Sequence, residues 1–227
     1  MIWNDHYKDV PEGTHAFLSP SQHSFLNYNK EQLFNRYKAK YASSIGTILH
    51  AFAKDRIKFK VKVTRYDRKE IELELLRHGI PANVYDMDMI FDNFKQYVND
   101  AIGYQLRPEQ ALFYSKNCFG TADAISYDAV KDHKEYTGIL RIHDLKTGIS
   151  PVSMKQLELY AALFHLEYGT KPGLTKTVLS IYQSVIDDDG EVFADISTEE
   201  PEPEVIARHM DTIITMDRWI DSFKGDE

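Results

Sequence analysis

The sequence predicts an α/β protein in which a mixed central β-sheet is flanked by helices and preceded by a helical region. Apolar residues follow helical spacing through most of the first hundred positions, and then alternate with polar residues in a series of short strands. One long helical pattern interrupts the strands and another follows them. We therefore expect a single domain (1–227) made of a mostly helical part (1–105), an α/β core (106–200) and a C-terminal helix (201–227).

Helix-start signals organise the helical part. Ser19 is a good N-cap, Pro20 suits the first helical position and Gln22 completes a capping box, so we expect a helix from there to about Tyr41. Over 57–63, apolar residues alternate with lysines directly after a helical pattern, which leaves strand and helix open. Further helices are predicted at 45–53, 71–77 and 84–104.

Five strands and one helix are predicted in the α/β core. The strands are expected at 109–114, 119–127, 136–146, 176–184 and 191–196, and the helix at 152–168. A polar loop around Asp132 should join the second and third strands, and a turn at 188–190 should join the last two. The final helix is expected to begin at Pro201–Glu204 and to run to about Trp219.

Composition excludes several classes of protein. Of 227 residues, 43% are hydrophobic and 27% are charged, as in ordinary globular domains. No apolar run is long enough to cross a membrane, and the first residues lack the order of a signal peptide. Cys118 is the single cysteine, which excludes an internal disulfide and an iron–sulfur cluster and fits a cytoplasmic (intracellular) protein.

Charge is distributed unevenly along the chain. The formal net charge is −8, which argues against a protein that coats nucleic acid non-specifically. Residues 54–69 nevertheless carry eight basic side chains against two acidic ones. Such a basic stripe can bind phosphates, or it can be the solvated face of an amphipathic segment, and the pattern leaves both interpretations open.

The stretch Ile142–Gly148 carries the clearest candidate for chemistry. Asp144 and Lys146 are two residues apart on a predicted strand, so their side chains should lie on the same face. A carboxylate there can hold a divalent cation, and an ammonium beside it can bind or polarise an anionic substrate. A salt pair at a strand end, before a turn, would explain the same two residues without any chemistry.

Four other side chains could join this pair. Asp123 lies on the preceding strand, and two carboxylates on neighbouring strands can bind Mg²⁺ or Mn²⁺ together, although Asp123 could also cap a hairpin turn. Gln156 and Tyr160 share one face of the following helix and could hold a phosphate or a base, but Tyr160 could equally pack in the core. His50 could be a metal ligand or a hydrogen-bonded core histidine.

The order of these residues resembles the PD-(D/E)XK nuclease superfamily, in particular the branch of RecB-type nuclease domains and CRISPR-adaptation exonucleases. The resemblance runs from about residue 18 to 185 and implies a restriction-endonuclease-like core. Its specific part is the Asp-x-Lys-Thr-Gly motif with a downstream Gln-x-x-x-Tyr. The matching segments are Gly46-x-x-x-His50, Gly120-Thr121-Ala122-Asp123, Asp144-x-Lys146-Thr147-Gly148 and Gln156-x-x-x-Tyr160.

The resemblance also implies a role for each motif residue. The metal ligands for Mg²⁺ or Mn²⁺ would be His50, Asp123, Asp144 and the carbonyl of Leu145. The catalytic residues would be Asp123, Asp144 and Lys146, and the residues that hold the nucleic acid would be Gln156 and Tyr160. Glu109 stands where the family often has a glutamate on the first strand. Relatives with four cysteines hold an iron–sulfur cluster, which the single Cys118 cannot form.

The function that follows is that of a divalent-metal-dependent deoxyribonuclease, an exonuclease that hydrolyses DNA phosphodiester bonds. DNA is the expected partner, and a role in DNA replication, recombination or processing would suit a virus or a mobile element. One alternative is a non-catalytic nucleic-acid-binding or assembly subunit on a nuclease-like fold. Another is a restriction-type endonuclease, for which no separate recognition domain is visible in the sequence.

Overall fold

The expected α/β class with a helical N-terminal region is confirmed in a computed structural model, which describes residues 16–130, 135–148, 152–186, 189 and 192–223. The helical region contains α1 (Lys30–Lys58), α2 (Asp67–Arg77) and α3 (Met87–Gly103). The rest contains β1 (Arg107–Ser115), β2 (Cys118–Ala129), β3 (Gly138–Leu145), α4 (Lys155–Tyr168), β4 (Thr175–Ile186), β5 (Val192–Glu199) and α5 (Pro203–Phe223).

The chain divides into two compact units, Met1–Lys40 and Tyr41–Glu227, and every candidate site residue belongs to the second. The single domain expected from the sequence stays a prediction. Two predicted connections, the loop around Asp132 and most of the turn at 188–190, lie outside the described residues. Within the described part of the chain, no helix is long and apolar enough to cross a membrane.

The five strands form one mixed sheet in sequence order, β1-β2-β3-β4-β5. Neighbouring strands are antiparallel except β3 and β4, which are parallel because α4 returns the chain between them. Leu140 and Ile142 of β3 lie on one face by alternation and pack with Leu157 and Ala161 of α4 in the main buried cluster. Helix α4 is thus fixed against the middle of the sheet, immediately after the strand that carries Asp144.

The capping box expected at Ser19 is wrong, and the long helix α1 starts with a different capping box. Residues Pro20–Asn27 form a 3₁₀ helix, and the side chain of Ser19 makes no capping hydrogen bond to it. The capping box lies at Asn29, whose backbone N–H donates to Gln32 Oε1 while the backbone N–H of Gln32 donates to Asn29 Oδ1, both at 2.9 Å. Reciprocal bonds of this kind satisfy two donors that a helix start leaves free.

Helix α1 continues without the break expected after Tyr41, since neither proline nor glycine interrupts it there. It ends instead in a Schellman motif. Lys60 adopts a left-handed backbone conformation with φ 56°, its N–H donates to Ile57 O, and the N–H of Val61 donates to Arg56 O at 2.9 Å. The alternating pattern at 57–63 therefore forms a helix end and a turn, and the strand interpretation is wrong.

Helix α4 offers a direct test of the fold, because two of its leucines differ only in burial. Leu157 is fully buried against the sheet, whereas Leu159 is 42% exposed. We expect Leu157→Ala to lower the free energy of unfolding by about 2–5 kcal/mol, because it leaves a cavity in the core. Urea denaturation followed by circular dichroism measures this loss. The matched control Leu159→Ala should cost less than about 1 kcal/mol, and equal losses would contradict the packing described.

Candidate metal centre

Three carboxylates occupy one row across the first three strands. The β1–β2 register places Glu109 opposite Asp123. The β2–β3 register places Asp144 opposite Asp123, one step beyond the last paired residues. Side chains at opposite positions of antiparallel strands lie about 5 Å apart at Cβ. The register alone therefore places Asp123 between two other acidic groups, one on each neighbouring strand.

The regular alternation of side chains is broken at this row. Ala122 and Ile125 are three residues apart, so strict alternation would place them on opposite faces, yet both belong to the same buried cluster. Opposite this irregularity, Glu109 has a left-handed backbone with φ 51°, a conformation that costs a residue with a Cβ about 1–2 kcal/mol. Backbone strain of this kind is characteristic of functional sites.

Helix α1 supplies a histidine to the acidic row. His50 Nδ1 lies 3.4 Å from Asp123 Oδ2 and 4.0 Å from Glu109 Oε1. Ligand atoms of these three residues all lie within 4.8 Å of one another, the one such group among the residues that the structure describes. Two carboxylates and an imidazole at this spacing can surround a divalent cation with bonds of about 2.0–2.2 Å.

A cavity of about 540 Å³ opens over the His50–Glu109–Asp123 cluster. One wall is a row of small residues on α1, among them Gly46 and Thr47, and Lys54 lies farther along the same helix. A Cβ on Gly46 would stand 3.4 Å from the Thr147 hydroxyl, so this glycine permits the close approach of the loop after β3. The cluster is therefore reachable by a ligand and has a cationic side chain at its rim.

Asp144 and Lys146 form the ion pair that the sequence left as one interpretation. Lys146 Nζ donates to Asp144 Oδ1 at 3.2 Å and lies 2.9 Å from Oδ2. Oδ2 is buried but accepts no hydrogen bond of acceptable geometry from any described residue. The ammonium at this distance compensates the charge of Oδ2 even though no hydrogen bond of good geometry is formed. The ion pair therefore explains both residues without a metal, and a role of Asp144 as a metal ligand stays a prediction.

Gln156 and Tyr160 extend the hydrogen bonds that begin at the ammonium group of Lys146. Lys146 Nζ donates to Gln156 Oε1 at 3.1 Å, and Gln156 Nε2 donates to the Tyr160 hydroxyl at 3.2 Å. The ring of Tyr160 lies over Gly120, where an added Cβ would stand 2.9 Å from Tyr160 Cε1. This close contact favours a glycine at this point of β2. Asp144, Lys146, Gln156 and Tyr160 form one hydrogen-bonded chain along the site.

Leu145, the last residue of β3, contacts the site through its backbone amide. Its backbone N–H donates to Asp123 Oδ2 at 3.1 Å, which holds the Asp123 carboxylate toward β3. The expected role of its carbonyl as a metal ligand stays a prediction. The sequence indicates Glu109 only through the family resemblance, and no local motif signals its contacts. The sheet register brings it to Asp123, and the position of α1 brings His50 to both.

The crowding of the acidic groups changes the pKa of Asp123. Burial is the main cause that raises it to about 6, and the negative charge of Asp144 adds to the rise. A charged His50 and the N–H of Leu145 oppose this rise, and Glu109 adds a smaller increase. A group of carboxylates that repel one another is stabilised by a divalent cation, which would lower the pKa again.

The basic stripe is divided between paired arginines and exposed lysines. Arg56 contacts Asp67 at 2.7 Å and Glu70 at 2.6 Å, so its charge is compensated within the protein. Arg68 is paired with Glu72 and Asp88 in the same way. The lysines of the stripe are exposed, and they are Lys54, Lys58, Lys60, Lys62 and Lys69. Arg65 contacts Tyr66 and pairs with no carboxylate of the described residues. The five lysines and Arg65 thus offer charge to a phosphate, whereas Arg56 and Arg68 do not.

Comparisons of the chain with protein-family models, with curated proteins and with solved structures gave no match. The resemblance to the PD-(D/E)XK superfamily therefore rests on the order of the motifs quoted above.

The raised pKa of Asp123 predicts how stability depends on pH in the metal-free protein. Because the folded state holds this proton more tightly than the unfolded state, the stabilising contribution is complete below about pH 4 and is lost as pH rises through about 6. We expect wild type to lose about 1–3 kcal/mol over this range relative to Asp123→Asn. Urea denaturation in EDTA at several pH values measures the difference, and parallel curves would contradict it.

A role of Glu109 as a metal ligand predicts a loss of affinity for Mn²⁺ when its charge is removed. We expect Glu109→Gln to bind Mn²⁺ at least about tenfold more weakly, since even partners outside the ligand shell contribute that much. Electron paramagnetic resonance of free Mn²⁺ measures the binding. The exposed Glu199 on β5 provides the matched control Glu199→Gln, and equal affinity of both variants would remove Glu109 from the centre.

Proposed function

We propose that this protein is a divalent-metal-dependent deoxyribonuclease. The observation that carries the proposal is the adjacency of two groups along one row: the His50–Glu109–Asp123 cluster and the Asp144–Lys146 ion pair. Hydrolysis of a phosphodiester needs positive charge next to the phosphate and an oriented water. The cluster, which is open to a cavity, would supply the metal site, and Lys146, on the loop after β3, would supply the ammonium.

The residues have separable roles in the proposed reaction. His50, Glu109 and Asp123, with Asp144 beside them, would hold Mg²⁺ or Mn²⁺. The bound metal would lower the pKa of water and neutralise charge on the phosphate. Lys146 would orient the attacking water and stabilise the phosphate oxygens, because its stem is fixed directly after β3. The water oxygen forms the new P–O bond, its proton leaves to solvent, and the departing oxygen takes up a proton.

Gln156 would control the position of the Lys146 ammonium. In the structure its Oε1 accepts a hydrogen bond from Lys146, while its amide group donates to Tyr160. When a metal neutralises Asp144, this second partner would keep the ammonium in place beside the phosphate. Tyr160, which is held over Gly120, would limit the motion of Gln156 and border the path of the DNA strand.

DNA fits this acidic protein because the local charges differ from the net charge of −8. The lysines that begin at Lys54, on the rim of the cavity, provide exposed positive charge close to the metal cluster. Charge concentrated in this way can attract a polyanion to one part of an otherwise acidic surface. We infer an exonuclease that works on DNA inside the cell, in replication, recombination or processing.

Cleavage assays test the proposed function. We expect wild type to degrade labelled single- or double-stranded DNA with Mg²⁺ or Mn²⁺, and to be inert in EDTA. Lys146→Ala should lower the rate on the order of a hundredfold or more, the usual cost of removing one fixed charge-stabilising group. The control Lys171→Ala removes an exposed lysine that lies after α4 and should retain the wild-type rate.

The result that would overturn the proposal is equal inactivity of wild type and Lys146→Ala with both metals and both forms of DNA. Metal-independent binding of DNA that survives Asp144→Asn would then favour the non-catalytic subunit. Cleavage at internal positions of circular DNA would instead favour an endonuclease.

A further inference from the structure

A second cavity, of about 490 Å³, lies at the start of β1. Its size is within the range of small-molecule sites in proteins. The floor is apolar and tightly packed, because Leu112 and Ile125 are buried in the core. The walls come from the end of α3, from β1 and β2, and from the C-terminal half of α4. We call it the β1 cavity.

Three aromatic rings form one wall of the β1 cavity, and they are Tyr127, Phe164 and Tyr168. The ring centroids of Tyr127 and Phe164 are 5.3 Å apart, and those of Phe164 and Tyr168 are 4.8 Å apart. Phe164 is 7% exposed at the base of this wall, and Tyr168 is 53% exposed at the rim. A half-exposed ring beside a packed aromatic pair offers a planar surface on which another flat ring can stack.

The opposite wall carries polar side chains that the fold does not use. Gln105 and Arg107 are exposed, and neither side chain makes a hydrogen bond or an ion pair with another residue in the described part of the chain. The side-chain amide of Gln110 donates one hydrogen bond to the carbonyl of Ala111. Amide and guanidinium groups provide both donors and an acceptor, which is the combination that reads the edge of a nucleobase.

The β1 cavity is close to the candidate metal centre along three elements, β1, β2 and α4. Arg107 precedes Glu109 by two residues on β1, and Ile125 follows Asp123 by two on β2, a distance of about 7 Å along each strand. On α4, Gln156, Tyr160, Phe164 and Tyr168 follow one another at intervals of four, which places them in one row. This row leads from the hydrogen-bonded chain at Lys146 to the aromatic wall.

We propose that the β1 cavity binds a nucleobase of the DNA strand whose phosphate lies at the metal centre, an inference that rests on the proposed function. The base stacks on Tyr168 and its edge contacts Gln105 and Arg107. A base that is paired and stacked within a duplex cannot enter a cavity of this shape. The substrate class is therefore single-stranded DNA or an end that has opened by at least one base pair.

An abasic scan tests the nucleobase site. Binding of a short single-stranded oligonucleotide to Lys146→Ala, the variant with slowed cleavage, is compared with binding of oligonucleotides that lack one base at successive positions. We expect one position at which loss of the base weakens binding about tenfold, the contribution of one stacked base. Adding Tyr168→Leu should weaken binding of the intact oligonucleotide by a similar factor and should abolish the sensitivity at that position.

Two further variants control the experiment. Phe193→Leu removes a ring that is 48% exposed on β5, outside the basic stripe and the cavities described above, so it should bind like its parent. Gln105→Ala, at an exposed position, tests the other wall without disturbing the core and should reduce the penalty of the same abasic position. In EDTA, deoxynucleoside monophosphates should bind wild type more tightly than Tyr168→Leu, which separates affinity for the base from affinity for a strand.

The outcomes distinguish the nucleobase site from the nuclease proposal. Suppose that wild type cleaves DNA but the abasic scan is the same with and without Tyr168→Leu. This result would overturn the nucleobase site and retain the nuclease. An abasic penalty that disappears in Tyr168→Leu, without any cleavage by wild type, would retain the nucleobase site and overturn the nuclease. A flat scan without cleavage would overturn both.

Discussion

Mutual repulsion within the row Glu109–Asp123–Asp144 is the constraint on which the rest of the site depends. Strand register places three carboxylates in one row, and the burial of Asp123 raises its pKa. The negative charge of Asp144 adds to this rise, which records the repulsion between neighbouring carboxylates. The surrounding groups respond to it: Lys146 pairs with one carboxylate, and His50 approaches another. A divalent cation is the simplest species that would satisfy all of them at once.

Helix α4 couples this site to the core. Its apolar face, through Leu157 and Ala161, is packed on the middle strands, so its polar face has little freedom to shift. Gln156 and Tyr160 project from that fixed face, and Lys146 is held between them and Asp144. Gly46 and Gly120 allow close contacts at the two sides of the site, with Thr147 and Tyr160 respectively. The proposed chemistry would thus be supported by the same packing that stabilises the sheet.

The edge strand β1 links the two sites that we propose. Glu109 has a strained backbone at the candidate metal centre, while Arg107, two residues before it, lines the β1 cavity. A strand of DNA that follows this edge would meet the cavity and the cluster in succession. Stacking on Tyr168 would then help to fix the position of the scissile phosphate, because binding energy away from the reacting atoms can be used to orient them.

The sequence by itself determined the fold class, the order of the elements and most candidate residues, because alternation and local motifs such as Asp144-x-Lys146 depend on near neighbours in the chain. It could not determine where α1 begins and ends, since a single cap contributes only about 1 kcal/mol, which tertiary packing can override. Only the tertiary structure brought Glu109 to His50 and left Asp144 Oδ2 without a hydrogen bond. Such contacts follow from strand register and helix docking, which join residues distant in the chain.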